Sequence, residues 1–470
     1  MKQILSNGNI KEDLISQFES QQEVVYKNDT KNVAKLRSQG LEKMRELPFP
    51  TRKTEDWKHT DLQPALAKNY VHFLDREDSN KDIDQIFTCE IHNFETEQLS
   101  LLNGWYQGDK EQLKKYKNGV VAGSLSKAME QYPELVDKHL GKYADLDKNI
   151  FHALNTSFFQ DGIFIYVPDN IQVEMPLQSV SIVNHSDNIM LHTRNLLVLG
   201  KNSSLTFVQC DDSTNHQASF INSLTEVFID ENASLDHYKL QNLNDDTSLL
   251  NSTYFHQEKD SRLSTNSISL NGGLIRNYNH VKLNGRFAEA DILGVYLMDK
   301  EQHVDNQVYV HHAMPDCQSN ELFKGILDDE ASSVFNGHIL VDRDAQHTNA
   351  FQNNRNMLLT DRASANAKPF LEIYADDVKC SHGATVGQLD NDALFYIKSR
   401  GICEASARLL MMYAFAAEII NHIKIEALRQ RIDDMVKKRL RGELSICERC
   451  VLHCSQQEKE LNFEIDMSKV

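Results

Sequence analysis

The chain has 470 residues, 25% of them charged and 40% hydrophobic, with a formal net charge of -18. That length supports a large buried core in two or three domains, and so acidic a surface repels nucleic acid and anionic membrane on average. No apolar stretch approaches the ~18 residues of a membrane-spanning helix, and no GxxxxGK followed by Ser or Thr occurs, so neither a membrane span nor a Walker-type ATPase is expected of this chain.

The start, MKQILSNGNIKEDL, lacks an apolar run after its lysine. That argues against a secretory leader and for a cytoplasmic protein with reduced thiols. Residues 10–47 then read helical. In the second part of that stretch Val33, Leu36, Leu41 and Met44 recur at helical spacing, although Gly40 weakens the pattern. Pro48 and Pro50 end it, and Trp57, in a polar run, reads as a buried anchor. Further helical patches fall at 125–140, divided by Pro133, and at 151–159. Near residue 160 the apolar period changes from about 3.6 to 2. Residues 1–160 are therefore expected to form a mostly helical N-terminal domain.

From about 170 to 375 nearly everything is a short strand candidate, including 178–183, 194–199, 204–209, 225–230, 233–238, 293–297 and 335–341. Small polar corners separate them, such as GKNSS from Gly200 and DENAS from Asp230. Both a parallel β-helix and an antiparallel sandwich need such strands. The sandwich also needs tight hairpins. Clear hairpin pairs are missing, which favours a β-helix core over 161–375. Asn271-Gly-Gly273 reads as a corner and not a phosphate loop. His303, His311 and His312 lie near Asp305 and Cys317 and read as solvent-facing or hydrogen-bonded, a metal site requiring that coil stacking bring them together. Glu321, Lys324, His338, Asp342 and Gln346 read as polar groups on a solvated outer ladder.

The segment 368–402 reads KPFLEIYADDVKCSHGATVGQLDNDALFYIKSRGI. Its alternating 370–374 argues a strand, and the Asp, Ser and Gly that follow argue that the strand breaks there. Cys380 and His382 stand at that break. A thiolate and an imidazole so close suit one metal, but a stable structural zinc site wants four ligands. The pair thus fits a transient site, or one completed by another chain; the alternative is a buried cysteine beside a structural histidine. Residues 376–445 read as a C-terminal helical domain. Its stripe of Ala405, Leu409, Met412, Ala416, Ile419, Ile420 and Ile423 is wide enough to dock a partner as well as to pack at home, and its end is basic. The tail, 446–470, holds Cys447, Cys450, His453 and Cys454. Its CxxC spacing is metal-like but lacks a second half, leaving a metal site or a redox-labile tail.

Four segments carry a resemblance: Pro50-Thr-Arg-Lys-Thr-Glu-Asp-Trp57 with Thr60-Asp61; Arg194-Asn-Leu-Leu197; Ser319-Asn-Glu321-Leu-Phe-Lys324 through Phe335-Asn-Gly337 to Asn353; and Pro369 to Ile402 around Cys380-Ser-His382. In these the chain resembles the SufB/SufD family of the SUF iron–sulfur cluster assembly system, on its SufD branch. The resemblance implies a right-handed parallel β-helix between two helical domains. It implies a SufB-type paralogue bound through the β-helix and a SufC-type ATPase bound through the C-terminal helices. It maps the cluster-assembly residues onto His382 and Cys380. Asn354 falls where SufB-type chains carry their essential core cysteine. A non-catalytic scaffold is then expected, with a transient iron–sulfur cluster at the heterodimer interface and no tightly bound cofactor. Reduced flavin in the complex, contact with sulfur donor or acceptor proteins, and a homodimer when the chain is isolated belong to the same expectation. Two other classes compete: a polysaccharide-acting β-helix enzyme, for which Asp376 and Asp377 are the candidate carboxylates, and a zinc-binding interaction protein organised by Cys447, Cys450 and Cys454.

Overall fold

Between residues 177 and 387 the strands pair in parallel with those two places away in sequence, not with their immediate neighbours. Ser204–Ser213 pairs with Ser234–Asn242, and Ser219–Ile229 with Ser248–Gln257, without a slip in register. Two parallel sheets face each other and the chain coils between them. This is the parallel β-helix that the short strands and polar corners predicted. The structure is a computed structural model and describes residues 2–6, 8–76, 95–109 and 111–441.

The inward residues stack like on like. Val227, Phe255, Val281, Val310, Ile339 and Leu371 form one interior column. Leu205, Leu235, Leu263 and Ala290 form another. Each fully buried Val or Leu contributes about 1.5–3 kcal/mol. The corners need residues that tolerate positive φ, and Asn202 and Asn232 at 55°, Asp260 at 57° and Asp316 at 61° supply them. Asn232 Nδ2 donates to Asn202 Oδ1, and Asn202 Nδ2 to Asn170 Oδ1, both at 2.9 Å, so the corners also bond from coil to coil.

The N-terminal helices lie on the outer face of the first coils. The helix Lys31–Glu46 runs unbroken through Gly40. A Cβ there would come within 2.7 Å of Ser157 Oγ and 2.9 Å of the Ala153 carbonyl, so glycine lets this helix touch the helix Ile150–Phe158. Pro133 does divide 125–140, into Leu125–Gln131 and Pro133–His139. Ile150–Phe158 is buried throughout. Arg194 holds it to the coil, pairing with Glu226 at 2.6 Å and donating to Asn155 Oδ1 at 3.2 Å and Thr156 Oγ1 at 3.1 Å. Trp57 is a buried anchor, with the Arg276 guanidinium 3.8 Å from its ring centroid.

The helical C-terminal part consists of Asn391–Ser399, Glu404–Ile420 and Glu426–Leu440. Ala416, Ile419, Ile420 and Ile423, with Leu428, Ile432 and Met435, bury themselves on Val208, Tyr238, Leu240, Ile268 and Leu293, on the outer face of one sheet. Most of the stripe that the sequence left open to a partner is thus used within the chain, while Ala405 stays exposed. Arg439, from the basic end, pairs with Asp299 at 2.5 Å and donates to the Leu270 carbonyl at 2.8 Å.

The strand pattern does not stop before the cysteine. A bend at Asp376 and Asp377 separates Ser364–Ile373 from one more strand, Lys379–Gly387. The coil therefore runs past residue 375, where the core was expected to end. The polar residues that read as termination form another corner.

Candidate functional site

Cys380 and His382 are two residues apart on a strand, so their side chains leave the same side of it. In register, Cys380 stands over Ala350 and His382 over Gln352 of the strand Asn349–Leu358. Those stand over Ser319 and Glu321 of the strand Gln318–Leu327. Ala350, Gln352, Ser319 and Glu321 are all buried within the coil. Cys380 and His382 thus continue two interior columns to the point where the columns end. Lys379–Gly387 is the last strand of its sheet, which leaves Cys380 half-buried and His382 exposed. Burial pushes the Cys380 thiol up, and the Ala350 N–H partly opposes that, so the thiol is protonated at neutral pH.

Beneath His382 the column is polar. Gln352 Nε2 donates to Glu321 Oε2 at 2.9 Å. Glu321 is 0% exposed, and burial pushes its carboxyl up to about 8, opposed by the Gln352 hydrogen bond. The solvated outer ladder expected for this region is therefore corrected at two positions. Glu321 points inward. Lys324 points outward, but the helix Glu404–Ile420 covers it; it donates to the Phe415 carbonyl at 3.0 Å and pairs with Glu418. A pattern read one strand at a time does not contain that helix. His311 and His338 do stand on the outer face, paired with Asp342 at 2.9 Å and Glu372 at 3.1 Å. Gln346 belongs to a corner, where its Oε1 accepts the Asp377 N–H at 2.9 Å.

Asn354 is 0% exposed, and its place is filled structurally. Its Nδ2 donates to the Tyr296 hydroxyl at 3.2 Å, that hydroxyl donates to Asn356 Oδ1 at 2.7 Å, and Asn356 Nδ2 returns to Asn354 Oδ1 at 2.7 Å. His303 lies 3.0 Å from the Thr60 hydroxyl and His312 lies 2.8 Å from Ser319 Oγ. The Cys317 thiol donates to the Gly285 carbonyl at 3.2 Å. Among the described residues no three His, Cys, Asp or Glu side chains converge as a metal-binding group. Asp376 and Asp377 are exposed on the bend and not on a strand. Cys447, Cys450, His453 and Cys454 lie outside the described residues.

Sequence reasoning missed Gln352 and the inward face of Glu321. The signal was the alternation in 349–358, which puts Ala350, Gln352, Asn354 and Asn356 on one side, with three amides facing the core.

Two family models tile the chain. The N-terminal region of SufBD proteins matches residues 8–179, and the SufBD core domain of SUF system FeS cluster assembly matches residues 182–415. The chain belongs to the SufBD family. It is similar to the iron–sulfur cluster assembly protein SufD of Escherichia coli, 29% identical over 414 residues that cover 86% of this chain and 92% of that one. The SufD of Bacillus subtilis is 29% identical over 422 residues, 86% of this chain and 93% of that one. A SufBD family protein of Synechocystis is 29% identical over 402 residues, 84% and 88% respectively. The chain is thus an iron–sulfur cluster assembly protein of the SufBD family, with homologues named SufD. Among the described residues no helix is long and apolar enough to cross a membrane.

Proposed function

We propose that this chain is the SufD-type scaffold subunit of an ATPase-coupled complex, not itself catalytic, in which iron–sulfur clusters form between its last coil and a SufB-type paralogue before transfer to acceptors. One observation carries this reading: Cys380 and His382 leave the same side of a strand at which the coil ends and interior columns open outward.

A thiolate and an imidazole are both donors for iron. Two donors do not enclose a cluster, so the partner supplies the others, and iron and sulfide are the substrate. His382 offers a ring nitrogen or carries a proton; Cys380 offers a second thiol once it loses its proton. Among the described residues the strands Ser364–Ile373 and Lys379–Gly387 each pair along one edge. Their other edges present backbone N–H and C=O groups that a second β-helix can meet. Phe370, Tyr374 and Val386 are exposed around them. The same edges would serve a homodimer of the isolated chain. A site split between two subunits opens when they move, and a SufC-type ATPase on the C-terminal helices is the source of that motion. Electrons come from reduced flavin in the complex, to which no residue of this chain is assigned.

The test is anaerobic cluster reconstitution on the complex co-purified with SufB-type and SufC-type partners, comparing wild type with His382→Ala. Iron, labile sulfide, visible absorbance and complex mass are read together. The expected result is an intact complex without cluster. A variant that keeps both complex and cluster removes His382 from the chemistry, and a chain that stays monomeric beside both partners sinks the scaffold reading.

A further inference from the structure

The column under His382 contains two buried polar atoms without partners. Gln352 uses its Nε2 to donate to Glu321. Its Oε1 has no hydrogen-bond partner among the described residues, and neither has Glu321 Oε1. Gln352 is 3% exposed and Glu321 0%. A buried polar atom left without a hydrogen bond costs about 1–3 kcal/mol in ordinary circumstances, so two of them one rung apart call for a reason. Space has also been made for this amide. Gly337, on the facing sheet, has no side chain where a Cβ would come within 2.0 Å of Gln352 Nε2 and 2.9 Å of its Oε1.

The residue next along the column is His382. It is the register partner of Gln352, its side chain leaves the same face, and parallel strands set the two backbones about 4.8 Å apart. An imidazole that binds a metal through one nitrogen nearly always donates its other N–H to a carbonyl or carboxylate, which fixes tautomer and ring orientation. An amide oxygen with no other partner, on the adjacent rung, is such an acceptor.

We propose that Gln352 is the positioning residue for His382: its Oε1 takes the N–H of one ring nitrogen, leaving the other nitrogen's lone pair for iron, while Glu321 fixes which way the amide faces. This rests on the reading of His382 given above. Glu321 suits the role because it needs no counter-ion. Burial holds its carboxyl neutral through most of the physiological range, and a neutral carboxyl still accepts from Gln352 Nε2. No proton passes along the column in this account; the chain of contacts sets geometry.

The experiment uses the full-length chain with isotopically labelled histidine. Ring-nitrogen NMR signals report tautomer, and the His382 signal is the one lost in His382→Gln. Four proteins are compared: wild type, Gln352→Leu, Glu321→Leu and Glu321→Gln, each checked by its melting temperature. The expected result is a shifted His382 signal in Gln352→Leu and in Glu321→Leu, and a wild-type signal in Glu321→Gln, which keeps an acceptor for the amide. In the reconstituted complex Gln352→Leu is expected to retain about tenfold less iron and sulfide, the low end of what lost outer partners cost a metal site. A His382 signal unmoved in Gln352→Leu overturns the proposal, and one unmoved in Glu321→Leu overturns the share given to Glu321. Should Gln352→Leu fail to fold, Gln352→Met, which keeps the length of the side chain without its oxygen, decides the same question. Because these signals are read without iron, they separate this inference from the cluster role of His382. If His382→Ala keeps its cluster, the cluster role fails while the hydrogen bond is still judged by the signal.

Discussion

Gly337 and Gln352 face each other across the interior so closely that a Cβ on the first would lie 2.0 Å from Nε2 of the second. One residue's missing side chain is the room the other occupies. Gly337→Ala is therefore expected to destabilise the chain by about 1–3 kcal/mol, the usual range for overpacking. Urea unfolding measures it. The double variant Gly337→Ala/Gln352→Ala should recover part of the loss, and a Gly337→Ala protein as stable as wild type would show that the core yields there.

Arg194 and Glu226 form an ion pair with both side chains 0% exposed. Glu226 also accepts backbone N–H groups from Gly141 at 2.8 Å and Tyr143 at 2.9 Å, so it ties a loop of the N-terminal domain to the coil. Arg194→Met strands that carboxylate without its cation. Removing one partner of a buried pair costs about 3–5 kcal/mol. Arg194→Met/Glu226→Gln should cost less than Arg194→Met alone, since no bare charge is left. Thermal melts of the two variants give the order, and the opposite order refutes the account.

Burial pulls the imidazoles of His72, His237, His280 and His312 down to about 3 in the folded chain. Unfolded, each titrates near 6.5. Below that value the unfolded chain binds protons that the folded chain refuses, so stability falls as pH drops from about 6.5 towards 3. Each such histidine adds about 1.4 kcal/mol per pH unit within that window. His312→Asn should flatten the slope between pH 6.5 and 5 by about that amount. Unfolding free energies at three pH values across the window test this, and parallel slopes would contradict it.

The Cys380 thiol is half-buried and pushed up by that burial. Alkylation needs the thiolate. Iodoacetamide should therefore modify Cys380 several-fold more slowly at pH 7.5 than it modifies a free thiol, with the rate still climbing above pH 9. Peptide mass spectrometry of the isolated chain follows it. A Cys380 as fast as a free thiol would mean that the last coil does not shelter it.

The corners were legible because positive φ restricts residue choice, so Asn202 and Asn232 mark them in sequence as they do in space. The interior columns were not. Alternation gives the two sides of a strand, but which residue stacks on which depends on coil length. In Gln318–Leu327 the buried residues run on through Leu327, so Glu321 on the inner face and Lys324 on the outer look alike in sequence. Cys380 and His382 stand out in sequence by their spacing and their family pattern, and the structure places both on one side of the last strand. For Gln352 the alternation of 349–358 marks an inward amide, but only register sets that amide beside a histidine. The end of the core was misplaced for the same reason: a bend holding Asp376 and Asp377 reads identically whether or not another strand follows.

A coil in the middle of this rod is clamped from above and below, while the coil ending in Lys379–Gly387 is clamped on one side. In a stack held by nearest-neighbour contacts, the terminal unit opens most cheaply. Cys380 and His382 therefore ride on the softest rung of an otherwise stiff ladder. A second β-helix joined at that end would turn a terminal rung into an internal one. Amide exchange over residues 379–387 should then slow when such a partner docks, with no iron present: the partner would finish folding the surface it meets.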